Sequence, residues 1–169
     1  MSNRSPFDVI FLGGRQAGVI GLLTVLAHGE KVKGVVAYND YVADMADALH
    51  IPKVGNLAGV WNFDCDLIVS VHGDEIVPDD ILAQARLGGI NVHPCLRDFK
   101  GRHVIKRFLA SGKFPHASVG VHRMIAQVDR GEVLKEIFVD VSDCKTEVEV
   151  YNALYPYYAM ALWAALEKL

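Results

Sequence analysis

The chain has 169 residues, of which 51% are hydrophobic and 22% charged, with a formal net charge of −3. This suits a single globular domain, residues 1–169, with a core of its own, and it excludes intrinsic disorder. The mild acidity argues against nucleic acid held by broad electrostatics, and no apolar run approaches the ~20 residues of a membrane span.

The opening Met1–Pro6 carries no signal-peptide pattern. Three cysteines, Cys65, Cys95 and Cys144, are far apart and form no Cys-x-x-Cys. That fits a reducing compartment, the cytoplasm by default, and neither a disulfide framework nor a zinc site. Asp8–Leu12 is a short apolar run closed by Gly13-Gly14, which reads as a buried strand and a tight turn. A helix follows over Arg15–His28, with Gly29 as its stop. Val32–Tyr38 is a second strand. Asn39-Asp40 caps a second helix whose apolar positions are Val42, Met45, Ala46 and Leu49. Residues 53–64 are irregular by pattern. Asp66–Val71 is a third strand ending at His72-Gly73, and Pro78 opens a short helix through Ala85.

Gly88-Gly89 leads into the strand Asn91–His93. Strands and helices alternate up to this point. The fold class is therefore α/β, a Rossmann-like, mostly parallel twisted sheet with helices on both faces. The second half adds an antiparallel extension. A helix over Arg102–Ser111 precedes two strands, Ala117–Arg123 and Val133–Val141, joined by the loop Met124–Glu132. Thr146-Glu147-Val148-Glu149 is a capping box for a last helix, in which Pro156 predicts a kink or a split. Its tail, Ala159–Leu169, is apolar on most sides and admits packing on the sheet or a homodimer.

The stretch Ile90-Asn91-Val92-His93-Pro94 carries the most chemistry. Side chains on a strand alternate between faces, so Asn91 and His93 are presented together at the strand's carboxyl end. Ligands bind at that end in open α/β sheets. An amide beside an imidazole suits a reaction that passes through an oxyanion. The same pair also suits an ordinary strand end, with the Asn in a turn and the His on backbone. Gly13-Gly14-Arg15-Gln16-Ala17-Gly18 departs from the dinucleotide pattern, because Arg15 occupies its second glycine. The turn is more simply strand-to-helix packing, with a substrate phosphate at Gly14 and Arg15 as the other reading. Cys95 reads as a small half-buried residue. His28, His50, His72 and His103 read as surface or core residues. His116 and His122 lack a ligand triad, so no metal is expected. Asp129 before Arg130-Gly131 is by itself a turn residue.

Taken together, Asn91-Val92-His93-Pro94-Cys95-Leu96, Lys100-Gly101, Ser118–His122 and Val128-Asp129-Arg130-Gly131 resemble the folate-dependent formyltransferase family. Its pattern is Asn-x-His-Pro-Ser-Leu-Leu-Pro, Lys/Arg-Gly, Gly-x-Thr-x-His, then Asp-x-Gly. Glu149–Pro156 resembles its last helix. Here Arg97-Asp98 stands for the family's Leu-Pro, and no threonine near Val119 and Val121 matches its Thr-x-His. The resemblance implies transfer of a formyl group from 10-formyltetrahydrofolate to an amine. Asn91 and a protonated His93 would stabilise the charge on the formyl oxygen. Asp129 would hold His93 charged and help the amine lose its proton, and His122 would support this loop. The folate would insert near Gly73, Asp74, Glu75, Ile76 and Val77 and the loop Ile125, Ala126, Gln127 and Val128. Gly14, Arg15 and Lys100 would face the acceptor.

The acceptor implied is a small-molecule amine, an amino sugar nucleotide first and glycinamide ribonucleotide second. The tRNA-acting members carry a further RNA-binding domain. Two other readings are a formyltetrahydrofolate hydrolase and a non-catalytic folate-binding relative.

Overall fold

The computed structural model describes residues 4–112 and 115–169; the first three residues of the Met1–Pro6 segment lie outside them. Six strands form one sheet in the order β2-β1-β3-β4-β5-β6. They are β1 (Asp8–Gly13), β2 (Lys31–Ala37), β3 (Leu67–Val71), β4 (Gly89–Pro94), β5 (His116–Arg123) and β6 (Val133–Asp140). The first four run parallel, and β4–β5–β6 pair antiparallel. The expected α/β fold with its antiparallel extension is thus present.

Period-two alternation sorts the strand side chains into two cores. Val9, Phe11, Val69, Val71, Ile90 and Val92 face one layer, built from α1 (Arg15–His28), α2 (Asp40–Ala48), α4 (Val104–Ser111) and α5 (Glu147–Leu166). Ile10, Leu12, Val36 and Ile68 face the other, covered by Val54, Val60, Ile81 and Leu82. Each such fully buried aliphatic side chain contributes on the order of 1.5–3 kcal/mol before chain entropy is counted. Caps form where the side chains permit. Asn39 Oδ1 accepts from Val42 N–H, Gly29 closes α1 in the left-handed region at φ 103°, and Thr146 with Glu149 completes a capping box.

Four local expectations are corrected. Residues 57–62, within the stretch read as irregular, form a 3₁₀ helix capped by Asn56. The short helix after Pro78, α3, is only Asp79–Leu82, and α4 begins at Val104 because His103 is left-handed at φ 55°. Pro156 does not split α5, which runs unbroken for 20 residues. Pro156 and Asn152 are both on the exposed side. The carbonyl that loses its intrahelical donor therefore faces water, where the loss is tolerated. Most of the apolar tail is used within the chain: Ala161, Leu162, Ala165 and Leu166 are fully buried against neighbouring elements. Among the described residues no helix is long and apolar enough to cross a membrane.

Candidate active site

Three elements bring the polar cluster together. β4 carries Asn91 and His93 on one face, as its alternation requires. β5 lies antiparallel beside it and pairs His122 with Asn91. The β5–β6 loop turns back at Asp129, which is left-handed at φ 54°. His93, His122 and Asp129 are buried at 7%, 2% and 7% exposure.

His93 Nε2 donates to Asp129 Oδ2 at 3.0 Å and to the Gly101 carbonyl at 3.1 Å. Its other nitrogen, Nδ1, is buried and has no protein partner. A buried nitrogen without a protein partner is costly, so this atom is open to a hydrogen bond from a ligand or a water. The Gly101 N–H donates to Asp129 Oδ2 at 2.7 Å. His122 Nδ1 donates to the Arg123 carbonyl at 2.8 Å. His122 Nε2 lies 3.3 Å from Asp129 Oδ1 and 3.3 Å from Asn91 Nδ2. Protonated, it donates to the carboxylate; neutral, it accepts from the amide. Each state thus bonds His122 to one of its two neighbours, the carboxylate or the amide. Burial alone would raise the Asp129 pKa, but donors from His122, His93 and Gly101 outweigh it and hold the carboxyl well below its usual range.

Two open cavities meet at Asn91 and His93. The larger, about 320 Å³, is walled by Gly73, Asp74, Glu75, Ile76, Val77, Met124, Ile125 and Val128. It is the more apolar of the two, and seven of the nine residues expected at the folate line it. Ala126 and Gln127 are exposed on the same loop without lining it; Gln127 instead accepts from Arg130 N–H at 3.2 Å in the turn before Gly131. The second cavity, about 290 Å³, takes Arg15, His72, Arg102, His103, Glu147 and Tyr151. Arg15 is therefore at the site. Lys100 lines neither cavity, although Gly101 after it does; its carbonyl accepts from Arg107. Gly14 is used internally: its N–H donates to Val71 O at 3.1 Å, and a Cβ there would lie 2.6 Å from the His72 carbonyl. Cys95 is buried, and burial pushes its thiol up to about 11, so it stays a thiol. Among the described residues no set of three ligand-type side chains converges as a metal site.

Sequence reasoning missed His72, Arg102, His103, Glu147 and Tyr151. For His72 a signal existed: it follows the carboxyl end of β3, beside Asn91's strand. The α5 residues had none, because only the packing of that helix turns them toward the sheet. Arg15, His72, His103 and Asp129 all sit at φ between 54° and 57°, so strained backbone is concentrated at the cavities.

His72 makes a testable contribution to stability. It is enclosed by Tyr151 and Tyr158, and its Nε2 lies 2.8 Å from the Tyr158 hydroxyl. Burial, with the charges of Arg15 and His93, lowers its pKa from 6.5 to about 4. The unfolded chain therefore takes up this proton first as pH falls, and stability is lost from pH 6.5 down to about 4. Asp129 acts in the next window: its depressed pKa stabilises above the ordinary value of 3.8 and that share is lost below it. Urea-unfolding midpoints across this range check both. His72→Gln is expected to flatten the upper segment and leave the lower one. A wild-type midpoint that is level between pH 7 and 5 would exclude the His72 share.

A doubly covered sheet with a buried charged cluster at the carboxyl ends of its strands, beside two open cavities, defines an enzyme of the α/β class. Comparison with known proteins gives the class its family: the chain belongs to the formyl transferase family, whose profile matches residues 53–166. Among curated proteins it is similar to GDP-perosamine N-formyltransferase of Brucella melitensis, 27% identical over 92 residues, 54% of this chain and 35% of that protein. The match thus spans about a third of that relative's length. Among solved structures, phosphoribosylglycinamide formyltransferase from Brucella melitensis superposes with a TM-score of 0.79 at 20% identity, over 97% of this chain and 95% of that one. A formyltetrahydrofolate deformylase from Pseudomonas syringae pv. tomato gives 0.81 at 16% identity, over 96% of this chain and 60% of that one. At these identities the structural matches establish the fold alone.

Proposed function

We propose that residues 1–169 form a single catalytic domain that moves a formyl group from 10-formyltetrahydrofolate to the amine of a small molecule, an amino sugar nucleotide first. The observation that carries this reading is the buried, partnerless Nδ1 of His93 beside the Asn91 amide, where the two cavities join. The apolar wall of Ile76, Val77, Met124, Ile125 and Val128 suits a flat pteridine-like ring, and the polar cavity suits the acceptor. The folate, when bound, supplies the formyl group. Asn91 and protonated His93 donate to its oxygen as charge builds there. Such donors are typically worth ~3–4 kcal/mol each in the transition state. Asp129 accepts from His93 Nε2 and so fixes the orientation of the ring. The proton that the attacking amine loses passes through water beside Asp129 to the folate nitrogen, which leaves as the N–H of tetrahydrofolate, so the protein ends with no net change of protons. Likeness to a sugar N-formyltransferase in sequence supports the sugar-linked amine. Three free cysteines support a cytoplasmic setting.

The test is a spectroscopic assay of tetrahydrofolate release against a panel of amines, including amino sugar nucleotides and glycinamide ribonucleotide. Release that depends on one amine is the expected result. Release without any amine would replace the reading with a hydrolase. Folate binding with no release would leave a binding protein.

A further inference from the structure

His72 stands at the site with no part in the chemistry derived so far. It follows the last residue of β3 and lines the acceptor cavity, together with a space of about 310 Å³ behind it at the start of α1. It does not line the apolar cavity on the folate side. Its backbone is left-handed at φ 54°, which is uncommon outside glycine and is kept where the side chain has a task.

The proton on its ring can be placed. Tyr158 is 1% exposed, and among the described residues its hydroxyl has one polar partner, His72 Nε2 at 2.8 Å. A buried hydroxyl whose proton goes to nothing leaves a donor unsatisfied, so the hydroxyl donates and Nε2 accepts. Burial also raises the Tyr158 hydroxyl well above its ordinary pKa, so the proton stays on the tyrosine. The imidazole is neutral at pH 7, because burial against Tyr151 and Tyr158 and the charges of Arg15 and His93 bring it down to about 4. A neutral imidazole that accepts at Nε2 carries its proton on Nδ1. Among the described residues Nδ1 has no protein partner, and unlike His93 Nδ1 it is not sealed from solvent. Its N–H is therefore a donor open to the cavities that His72 lines.

Such a donor has nothing to accept from an amine; what it can hold is an oxygen. Both acceptors considered above offer one at the same place. In an amino sugar nucleotide the carbon next to the amine-bearing carbon carries a hydroxyl, and in glycinamide ribonucleotide it carries the amide oxygen. We infer that His72 recognises the acceptor through this neighbouring oxygen, which accepts from Nδ1–H, and that Tyr158 is the positioning residue that keeps the proton on Nδ1. That role rests on formyl transfer as proposed above, and it holds for either acceptor. A neutral donor also suits a substrate that arrives in part as an ammonium ion, which a charged imidazole would repel.

Two measurements test this. Long-range proton–nitrogen NMR of the histidine-labelled protein at pH 7, without ligand, should show His72 protonated at Nδ1 and bare at Nε2, the signal being assigned by its loss in His72→Gln. Tyr158→Phe should release the ring to the Nε2–H form. A protonated Nε2 in the unaltered protein would overturn the inference. The second measurement is steady-state transfer to whichever of the two acceptors supports release, beside its analogue with the neighbouring oxygen replaced by hydrogen. His72→Gln can still accept from Tyr158 but leaves the place of Nδ1 empty. It should lower kcat/KM for the acceptor about tenfold, keep the KM for folate, and transfer to the analogue as fast as the unaltered protein does. His72→Asn, whose amide nitrogen stands where Nδ1 does, should recover most of the loss. Equal losses on acceptor and analogue in His72→Gln would mean a structural role, overturning the inference while formyl transfer stands. Release without any amine, or none with any, would remove formyl transfer itself and the oxygen contact with it.

Discussion

Asn91→Ala is expected to lower kcat by about 10²–10³-fold with the KM for folate little changed, because it removes a donor that matters most once charge has built on the formyl oxygen. The side chain is only partly buried and its partner is His122, so the fold should survive. Unfolding temperature measured beside kcat separates the two effects. His93→Ala should cost a similar factor. The double variant should fall well short of the product of the two if both groups serve one oxygen. A loss under tenfold in Asn91→Ala, with the fold intact, would remove the amide from the reaction and return it to the turn-forming role its sequence position also allows.

Gly131→Ala should show the largest effect of any substitution outside that cluster. A Cβ at Gly131 would lie 1.9 Å from the Arg123 carbonyl oxygen and 2.8 Å from its carbon. Backbone on backbone cannot yield by rotating a side chain, so the cost sits at the upper end for overpacking, ~3 kcal/mol. In a chain of this size that corresponds to a fall of about 6–12 °C in unfolding temperature. The damage also reaches the chemistry, since the Arg123 carbonyl fixes His122 Nδ1, and His122 Nε2 lies between Asn91 and Asp129. Thermal unfolding by circular dichroism and kcat from the release assay should therefore both drop. An unchanged unfolding temperature would mean that the β5–β6 loop shifts freely, and with it Asp129.

The strands β1, β2 and β3 were open to reading as apolar runs because they bury side chains on both faces, and in β4 the alternation of faces paired Asn91 with His93. Asp129 was not open to reading from spacing. A lone aspartate before Arg130-Gly131 is a turn residue by every local rule, and only resemblance to a family singled it out. The structure supplies the missing cause: β5 and β6 pair antiparallel, and their loop folds back onto β4. Pro156 misled for the opposite reason. Its local rule is sound in a helix buried all round, whereas α5 exposes that one side to water. Glu147 and Tyr151 stayed hidden because their place at the cavities depends on how α5 lies across α1 and the sheet, which no pattern of neighbours along the chain encodes.

That placement of α5 has a consequence for how the molecule is made. α5 packs on α1, near the other end of the chain, and the His72–Tyr158 contact joins it to the middle strand. Contacts this distant in sequence must wait until the intervening loops are closed, so they form late and slowly. The parallel strands and their helices can reach native-like structure beforehand. The acceptor cavity cannot, because Glu147 and Tyr151 of α5 form part of its wall. During refolding, helical and strand signals would then recover ahead of acceptor binding, and a nascent chain would hold an almost complete sheet while having no place yet for its substrate.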